Sequence, residues 1–376
     1  MEIISMLKNR HKTLEKYLLD NGLDAALFVG NSSIGPLSYG YFRYYTDWRC
    51  YYHQQAFLMR PGSEPIIFVG SILHLQGVQE RGFTDIRISP FIRDNVLKEL
   101  CQNPPKRLGV CLDMIAADWY DAFEQQLPGM QLADISSELY ELRSLHDDIE
   151  VERIRQCALI ADAGYEAVCS IARPGVKMSD IHTELDYAMR KAGAEEVFTL
   201  ISNGRFKYYT NGLPCIRAFG WPDDRIVQPG DNIGMEITPR FGGYWTQLVR
   251  TICIGEPSDD LVKAHKDQLA VMNNTLKQLI PGNTLGNVLK DMWHFGQSLG
   301  YEPKLPFGHI MGLDMDEGGR GSLDSDFVLK ENTSVVLHPT MTLGDMDYSI
   351  FWGDNYLVTA DGGERLNKCS TELIVL

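Results

Sequence analysis

The hydrophobic pattern of the first 140 residues is typical of a domain that mixes helices with short buried strands. Apolar positions at helical spacing predict an amphipathic helix over about residues 5–20, which ends at Asn21-Gly22. Compact apolar runs between turn-forming residues predict strands at 25–29, 57–59, 66–69 and 108–112. We therefore expect an N-terminal α/β domain over residues 1–140 and a second domain over residues 141–376.

The second domain carries one helical pattern twice. An amphipathic helix stops at Pro174-Gly175, and another helix is predicted to begin with Ser179 as its N-cap. Residues 280–300 repeat the pattern of residues 173–193, since each segment has a Pro-Gly pair, a helix and a closing glycine. Strand-rich sequence follows both copies. We expect two αα-plus-sheet halves that meet at a crevice, which is a usual place for a site.

Aromatic residues crowd the segment 38–53, where they occupy eight of the sixteen positions. One interpretation is a packed domain interface. The other is a loop that reaches a substrate pocket, across a dimer, and would bring Arg49 to the site. The sequence leaves both interpretations open.

The overall charge excludes several classes of partner. A net charge of −15 argues against binding to nucleic acid or to an anionic membrane surface, because both require basic patches. The chain has no secretory signal pattern and no apolar run of membrane-spanning length. Its eight cysteines are scattered and form no CxxC pair, as expected for reduced thiols. We therefore expect a cytoplasmic protein that acts on a small molecule.

Four C-terminal segments are the most specific motifs of the chain: GDNIGMEITPRFGGYWTQLVRT, LPFGHIMGLDMDEG, NTSVVLHP and FWGDNYLVTADG. With the repeated halves and the α/β domain ahead of them, they resemble the creatinase, aminopeptidase P and prolidase family. The resemblance implies a creatinase-like N-terminal domain and a pita-bread C-terminal α+β domain with an internal pseudo-two-fold repeat. It also implies five metal-ligand positions, which in this chain are occupied by Glu236, Gln247, His309, His338 and Gly353.

The residues at these positions change the expected chemistry. A ligand that bridges two ions needs two anionic oxygens, but Gln247 offers one neutral oxygen and Gly353 has no side chain. We therefore expect neither a dinuclear centre nor an Xaa-Pro peptidase, and we expect no cofactor. The alternative is one divalent ion on His309, His338 and Glu236, a set that suits zinc or non-haem iron.

The resemblance to creatinase, which works by acid–base chemistry without metals, implies further roles. Arg320 lies where the creatinase pattern has an arginine that binds the substrate carboxylate, a task that suits a bidentate guanidinium. Phe219 stands where that pattern has its catalytic histidine, so the same mechanism acting on creatine is not expected. Asp316 and Asp354 could orient an imidazole, and Trp245 could contact a ring or a cation.

The expected catalytic residues are His309, His338 and Glu236. The expected substrate contacts are Arg320, Gln247, Trp245, Phe219, Asp316, Asp354 and Arg49. The expected function is metal-independent acid–base cleavage of a C–N bond in a small carboxylate-bearing nitrogen compound, by a homodimeric hydrolase or lyase. Two alternatives stay open: a mononuclear metalloenzyme, oxidative or not, and a non-catalytic binding protein.

Overall fold

The chain divides into two compact units, residues 1–143 and residues 144–376. The structure is a computed structural model, and it describes residues 2–32, 40–49, 54–203, 207–208, 214–215, 224–302, 307–317, 321–341 and 350–376. None of the helices in these ranges is long and apolar enough to cross a membrane.

The first unit is a six-stranded sheet with helices, which confirms the predicted α/β class. Its strand order is β4-β3-β2-β1-β5-β6. The strands are β1 (Ala25–Asn31), β2 (Gln54–Met59), β3 (Ile66–Val69), β4 (Asp85–Ile88), β5 (Arg107–Val110) and β6 (Gln131–Asp134). The helices are α1 (Glu2–Asp20), α2 (Gly40–Thr46), α3 (Leu75–Glu80), α4 (Ile92–Gln102), α5 (Ala117–Gln126) and α6 (Ser136–Arg143).

Part of the aromatic segment is helical and buried within this unit. Helix α2 covers its described centre, and Tyr41, Phe42 and Tyr45 are at most 3% exposed. The ring of Tyr45 stacks on Phe28 of β1 and on Phe57 of β2. The aromatic residues of α2 therefore serve the core of the first unit.

The second unit contains the two predicted halves. The first half comprises α7 (Asp148–Ile171), α8 (Met178–Lys191), β7 (Glu196–Asn203), β8 (Lys207–Tyr208), β9 (Pro214–Cys215), β10 (Asn232–Phe241), β11 (Tyr244–Trp245) and β12 (Leu248–Cys253). The second half comprises α9 (Asp259–Thr275), α10 (Leu285–Ser298), β13 (Gly308–Ile310), β14 (Ser334–Leu337), β15 (Thr340–Met341), β16 (Ile350–Phe351), β17 (Asp354–Thr359), β18 (Gly362–Arg365) and β19 (Ile374–Val375).

The backbone of the repeat explains its sequence. The glycine after each proline and the glycine that closes each second helix all have positive φ, between 88° and 110°, where a side chain would be strained. These residues are Gly175, Gly193, Gly282 and Gly300. One detail of the prediction is wrong: α8 begins at Met178 after Lys177, so Ser179 lies inside the helix instead of capping it.

Each half has its own core and its own sheet. Helices α7 and α8 pack on the first sheet, in which β10 pairs with β7 on one side and with β11 and β12 on the other, and β19 follows β12. Helices α9 and α10 pack on the second sheet, which has the order β13-β14-β17-β18.

Candidate active site

The two sheets of the second unit are joined where Val249 meets Gly353. The two residues exchange backbone hydrogen bonds of 2.9 Å and 3.0 Å. Arg250, which is 1% exposed, reinforces the junction because its Nη1 donates to both carbonyl oxygens at 2.8 Å. The junction places the faces of two sheets side by side, and the candidate residues gather around it.

Glu236 and Gln247 lie on one face of the first sheet. Glu236 is paired with Val249 across β10 and β12, and the same register continues to the pair Arg240 and Trp245. Between these two pairs, the same register places Thr238 opposite Gln247. The amide nitrogen of Gln247 donates a 2.6 Å hydrogen bond to Oε1 of Glu236.

The environment of Glu236 favours its neutral form. Burial raises the pKa of this carboxyl group to about 7, because the charged form loses its hydration. The Gln247 amide can donate to Oε1 whether the group is ionised or protonated. Glu236 can therefore gain or lose a proton near neutral pH.

The two histidines approach this junction from the second sheet. His309 belongs to β13, and His338 follows β14; their rings meet edge to face with centroids 5.6 Å apart. Nδ1 of His309 lies 3.2 Å from the carbonyl oxygen of Ile310. A neutral His309 ring that donates from Nδ1 keeps Nε2 as an acceptor.

Burial affects the two imidazoles to different degrees. Burial lowers the pKa of His309, while the negative charge of Asp316 acts in the opposite direction. Burial lowers the pKa of His338 to about 3, so this ring stays neutral at physiological pH. Nδ1 of His338 has no hydrogen-bond partner among the described residues.

Atoms of Leu337 and His338 occupy the space beside Gly353. A Cβ atom built on Gly353 would lie 2.2 Å from the carbonyl oxygen of Leu337 and 2.7 Å from Cα and Cβ of His338. A side chain at position 353 would therefore displace the backbone that carries His338.

Asp354 and Trp245 are both buried. Asp354 is 0% exposed, and its carboxylate accepts from Nη2 of Arg250 and from Nε of Arg365, each at 2.7 Å. This carboxylate is committed to two guanidinium groups, so we assign it to the framework of the site. Trp245 is 1% exposed, and the guanidinium carbon of Arg240 lies 5.2 Å from its ring centroid.

Three predicted contacts are not placed at this junction. Arg320 and Phe219 lie outside the described residues. Arg49 belongs to the first unit. Their roles remain predictions.

Two hydroxyl groups on the Glu236 face are not among the site residues predicted from the sequence. Thr238 lies two residues beyond Glu236 in β10, and Ser202 of β7 is paired with Gly234. Both side chains are at most 2% exposed. The alternation of side chains along a strand could have found Thr238, because positions 236 and 238 share a face.

Fold and junction together define a two-unit protein of the pita-bread type. The sequence model of metallopeptidase family M24 matches residues 152–360, and that of the creatinase/prolidase N-terminal domain matches residues 10–145. The chain belongs to metallopeptidase family M24, as the motifs predicted.

Similar proteins include enzymes of two kinds. A creatinase from a Bacillus species is 24% identical over 90% of this chain and 82% of its own length. A Xaa-Pro dipeptidase from Pyrococcus furiosus is 21% identical over 98% of this chain and all of its own length. The structure of an X-Pro aminopeptidase from Thermotoga maritima shares the fold with a TM-score of 0.84 and 22% identity, over 97% of this chain and 99% of that one.

The prediction that no cofactor takes part is wrong for a member of this family. M24 is a metallopeptidase family, and its members normally use divalent metal ions.

The residues of this chain nevertheless do not fit the family's metal centre. Gln247 turns its amide nitrogen toward Glu236, His338 fills the space beside Gly353, and the described residues contain no group of three His, Cys, Asp or Glu side chains that could hold an ion. We derive no chemical step through a metal.

Proposed function

We propose that this protein hydrolyses a C–N bond in a small nitrogen compound and that Glu236 carries the proton. The observation that supports this proposal most is the hydrogen bond between the partly buried Glu236 and the buried Gln247 at the junction of the two sheets. The relatives support the reaction class, because a creatinase and a Xaa-Pro dipeptidase both break C–N bonds with water.

Glu236 is suited to act as both base and acid. A group whose pKa is near the working pH is present in both protonation states, which is the condition for efficient proton transfer. As a carboxylate, Glu236 takes a proton from the attacking water; as an acid, it gives that proton to the leaving nitrogen. The 2.6 Å contact with Gln247 holds the carboxyl group in one orientation during both steps.

The two imidazoles have different roles in this proposal. Burial lowers the pKa of His309, but the charge of Asp316 opposes this shift and Nε2 stays an acceptor, so we assign His309 as the second group that can exchange a proton. His338 stays neutral because its pKa is about 3, and we assign it hydrogen bonding to substrate or water. Binding of a substrate carboxylate by Arg320, closure of the site by a partner subunit and a cytoplasmic location stay predictions.

A substrate screen with matched variants tests the proposal. Amine or ammonia release from small amides, ureas and amidines is measured with the wild-type protein, Glu236→Gln and the exposed control Glu372→Gln. Divalent ions are added in parallel assays because the family is one of metallopeptidases. We expect Glu236→Gln to lower kcat by about 10²-fold or more, the usual contribution of a general acid–base group, and Glu372→Gln to leave it unchanged. A Glu236→Gln protein that keeps its rate within a few-fold would overturn the proposal.

A further inference from the structure

Several buried polar atoms on the Glu236 face have no partner in the part of the chain that the structure describes. They are Oγ1 of Thr238, Oε1 of Gln247, Nε1 of Trp245 and Oγ of Ser202, none of which has a hydrogen-bond partner among the described residues. Their side chains are at most 3% exposed. Buried polar groups are nearly always hydrogen-bonded, so such a concentration on one face of a sheet indicates that a polar ligand completes it.

The strand register brings three of these groups together. Thr238 lies opposite Gln247 in the register that connects the printed pairs of β10 with β11 and β12, and Trp245 lies two residues before Gln247 on the same face. Directly opposed side chains on one sheet face have Cβ atoms about 5 Å apart, so one small group can contact both.

The hydrogen-bonding capacity of these groups restricts the ligand. One N–H of the Gln247 amide is used by Glu236, and its oxygen can only accept, so this oxygen requires an N–H or O–H from the ligand. The Trp245 indole can only donate and requires a ligand acceptor, and the Thr238 hydroxyl can do either. The ligand must therefore present a donor and an acceptor close together.

Geometry and charge narrow the ligand further. In a trans secondary amide the N–H and the C=O point in opposite directions, whereas a terminal CO–NH2 group presents one N–H and the C=O on the same edge. An anion would face the acceptor oxygen of Gln247 and the carboxyl group of Glu236. Arg240, a buried cation on this face, contacts Glu196 at 3.3 Å and the carbonyl oxygens of Gly243 and Leu313.

We propose that Thr238, Gln247 and Trp245 form a recognition subsite for an uncharged terminal carboxamide or ureido group. This inference rests on the proposed function, since it names the substrate class of the same site. The group's N–H is donated to Oε1 of Gln247, and its carbonyl oxygen accepts from Thr238 and Trp245. Glu236 then lies beside the same nitrogen-bearing carbon.

Calorimetric binding of two matched probes tests the subsite. N-carbamoylglycine ends in an uncharged ureido group, and N-amidinoglycine replaces that group with a charged guanidinium of the same shape. We expect N-carbamoylglycine to bind at least about tenfold more tightly, because the guanidinium offers no acceptor to Thr238 or Trp245.

Threonine-to-valine variants separate recognition from structure. Thr238→Val should weaken N-carbamoylglycine binding about tenfold while leaving the unfolding midpoint of the free protein unchanged or higher, because the lost hydroxyl has no partner among the described residues. The control is Thr199→Val. Thr199 is also 1% exposed, but it is paired with Ile237 and so lies on the opposite face. It should leave binding unchanged.

Each outcome decides for or against the subsite. Equal or tighter binding of N-amidinoglycine, no binding of N-carbamoylglycine, or unchanged affinity in Thr238→Val would overturn it. If a compound is hydrolysed in a Glu236-dependent way while Thr238→Val has no effect, the hydrolase proposal stands and the subsite fails. If N-carbamoylglycine binds through Thr238 while no compound is hydrolysed, the subsite stands and the hydrolase proposal fails.

Discussion

At the scale of single residues, Gly353 and His338 can only be understood together. Position 353 is one of the two positions at which the resemblance implies a bridging metal ligand, yet a Cβ there would overlap the backbone of Leu337 and His338. Restoring a carboxylate at position 353 alone would therefore not restore a ligand, because the strand would have to move first. The absence of a side chain at position 353 and the presence of a histidine at position 338 therefore depend on each other.

Substitution of Gly353 by alanine tests this crowding. We expect Gly353→Ala to lower the free energy of unfolding by about 1–3 kcal/mol, the usual cost of overpacking a buried site. The control is Gly70→Ala, because a Cβ on Gly70 would have no neighbour within 4 Å. Urea unfolding of both variants gives the comparison, and equal stability of the two would show that the junction has room for a side chain.

At the scale of secondary-structure elements, one ion network ties three strands together. Arg250 of β12 and Arg365 of β18 both bind Asp354 of β17, and none of the three is more than partly exposed. Arg250 also donates to the Val249–Gly353 junction, so the network fixes the place where the two sheets meet.

Removal of the central carboxylate should be costly. We expect Asp354→Asn to lower the free energy of unfolding by about 3–5 kcal/mol, because the buried guanidinium of Arg250 and the partly exposed one of Arg365 would lose their counter-charge. Glu364→Gln is the matched control: it breaks the Arg155–Glu364 pair, which is 35% and 42% exposed, and should cost less than about 1 kcal/mol. A similar loss in both variants would contradict the structural role given to Asp354.

The sequence predicted elements well where the signal was local. The Pro-Gly pairs and closing glycines of the repeat mark backbone turns that depend on few neighbours. The ion pairs of Asp354 could not be predicted, because its partners Arg250 and Arg365 come from two other strands. The burial of helix α2 could not be predicted either, since the packing of its aromatic residues depends on β1 and β2.

At the scale of the whole molecule, the family favours metal-dependent chemistry, while the residues at the site favour proton transfer by a carboxyl group. The fold is that of metallopeptidases, while Glu236 and Gln247, at two of the implied ligand positions, form a hydrogen-bonded pair with one titratable carboxyl group. In the folded protein, burial raises the pKa of Glu236 to about 7, so this group holds its proton up to neutral pH. The shift has a consequence for stability, because the unfolded chain releases the same proton at about pH 4.5.

The different pKa values of Glu236 in the folded and unfolded states set the direction of the change in stability. Below pH 4.5 Glu236 is protonated in both states, so its ionisation does not lower the free energy of unfolding. As the pH rises toward 7, only the unfolded state gains from ionisation, so the folded wild-type protein loses stability, by roughly 3 kcal/mol for a shift of this size. Glu236→Gln has no proton to lose and avoids this decline.

The most direct test is the free energy of unfolding of the wild-type protein and of Glu236→Gln, measured by urea titration at several pH values between 4 and 8. The difference between the two proteins cancels the contributions of all other titrating groups. We predict that this difference moves in favour of the variant by roughly 3 kcal/mol between pH 4.5 and pH 7 and is constant above that range. Parallel curves for the two proteins would contradict the account, because Glu236 would then ionise in the folded protein as it does in the unfolded chain.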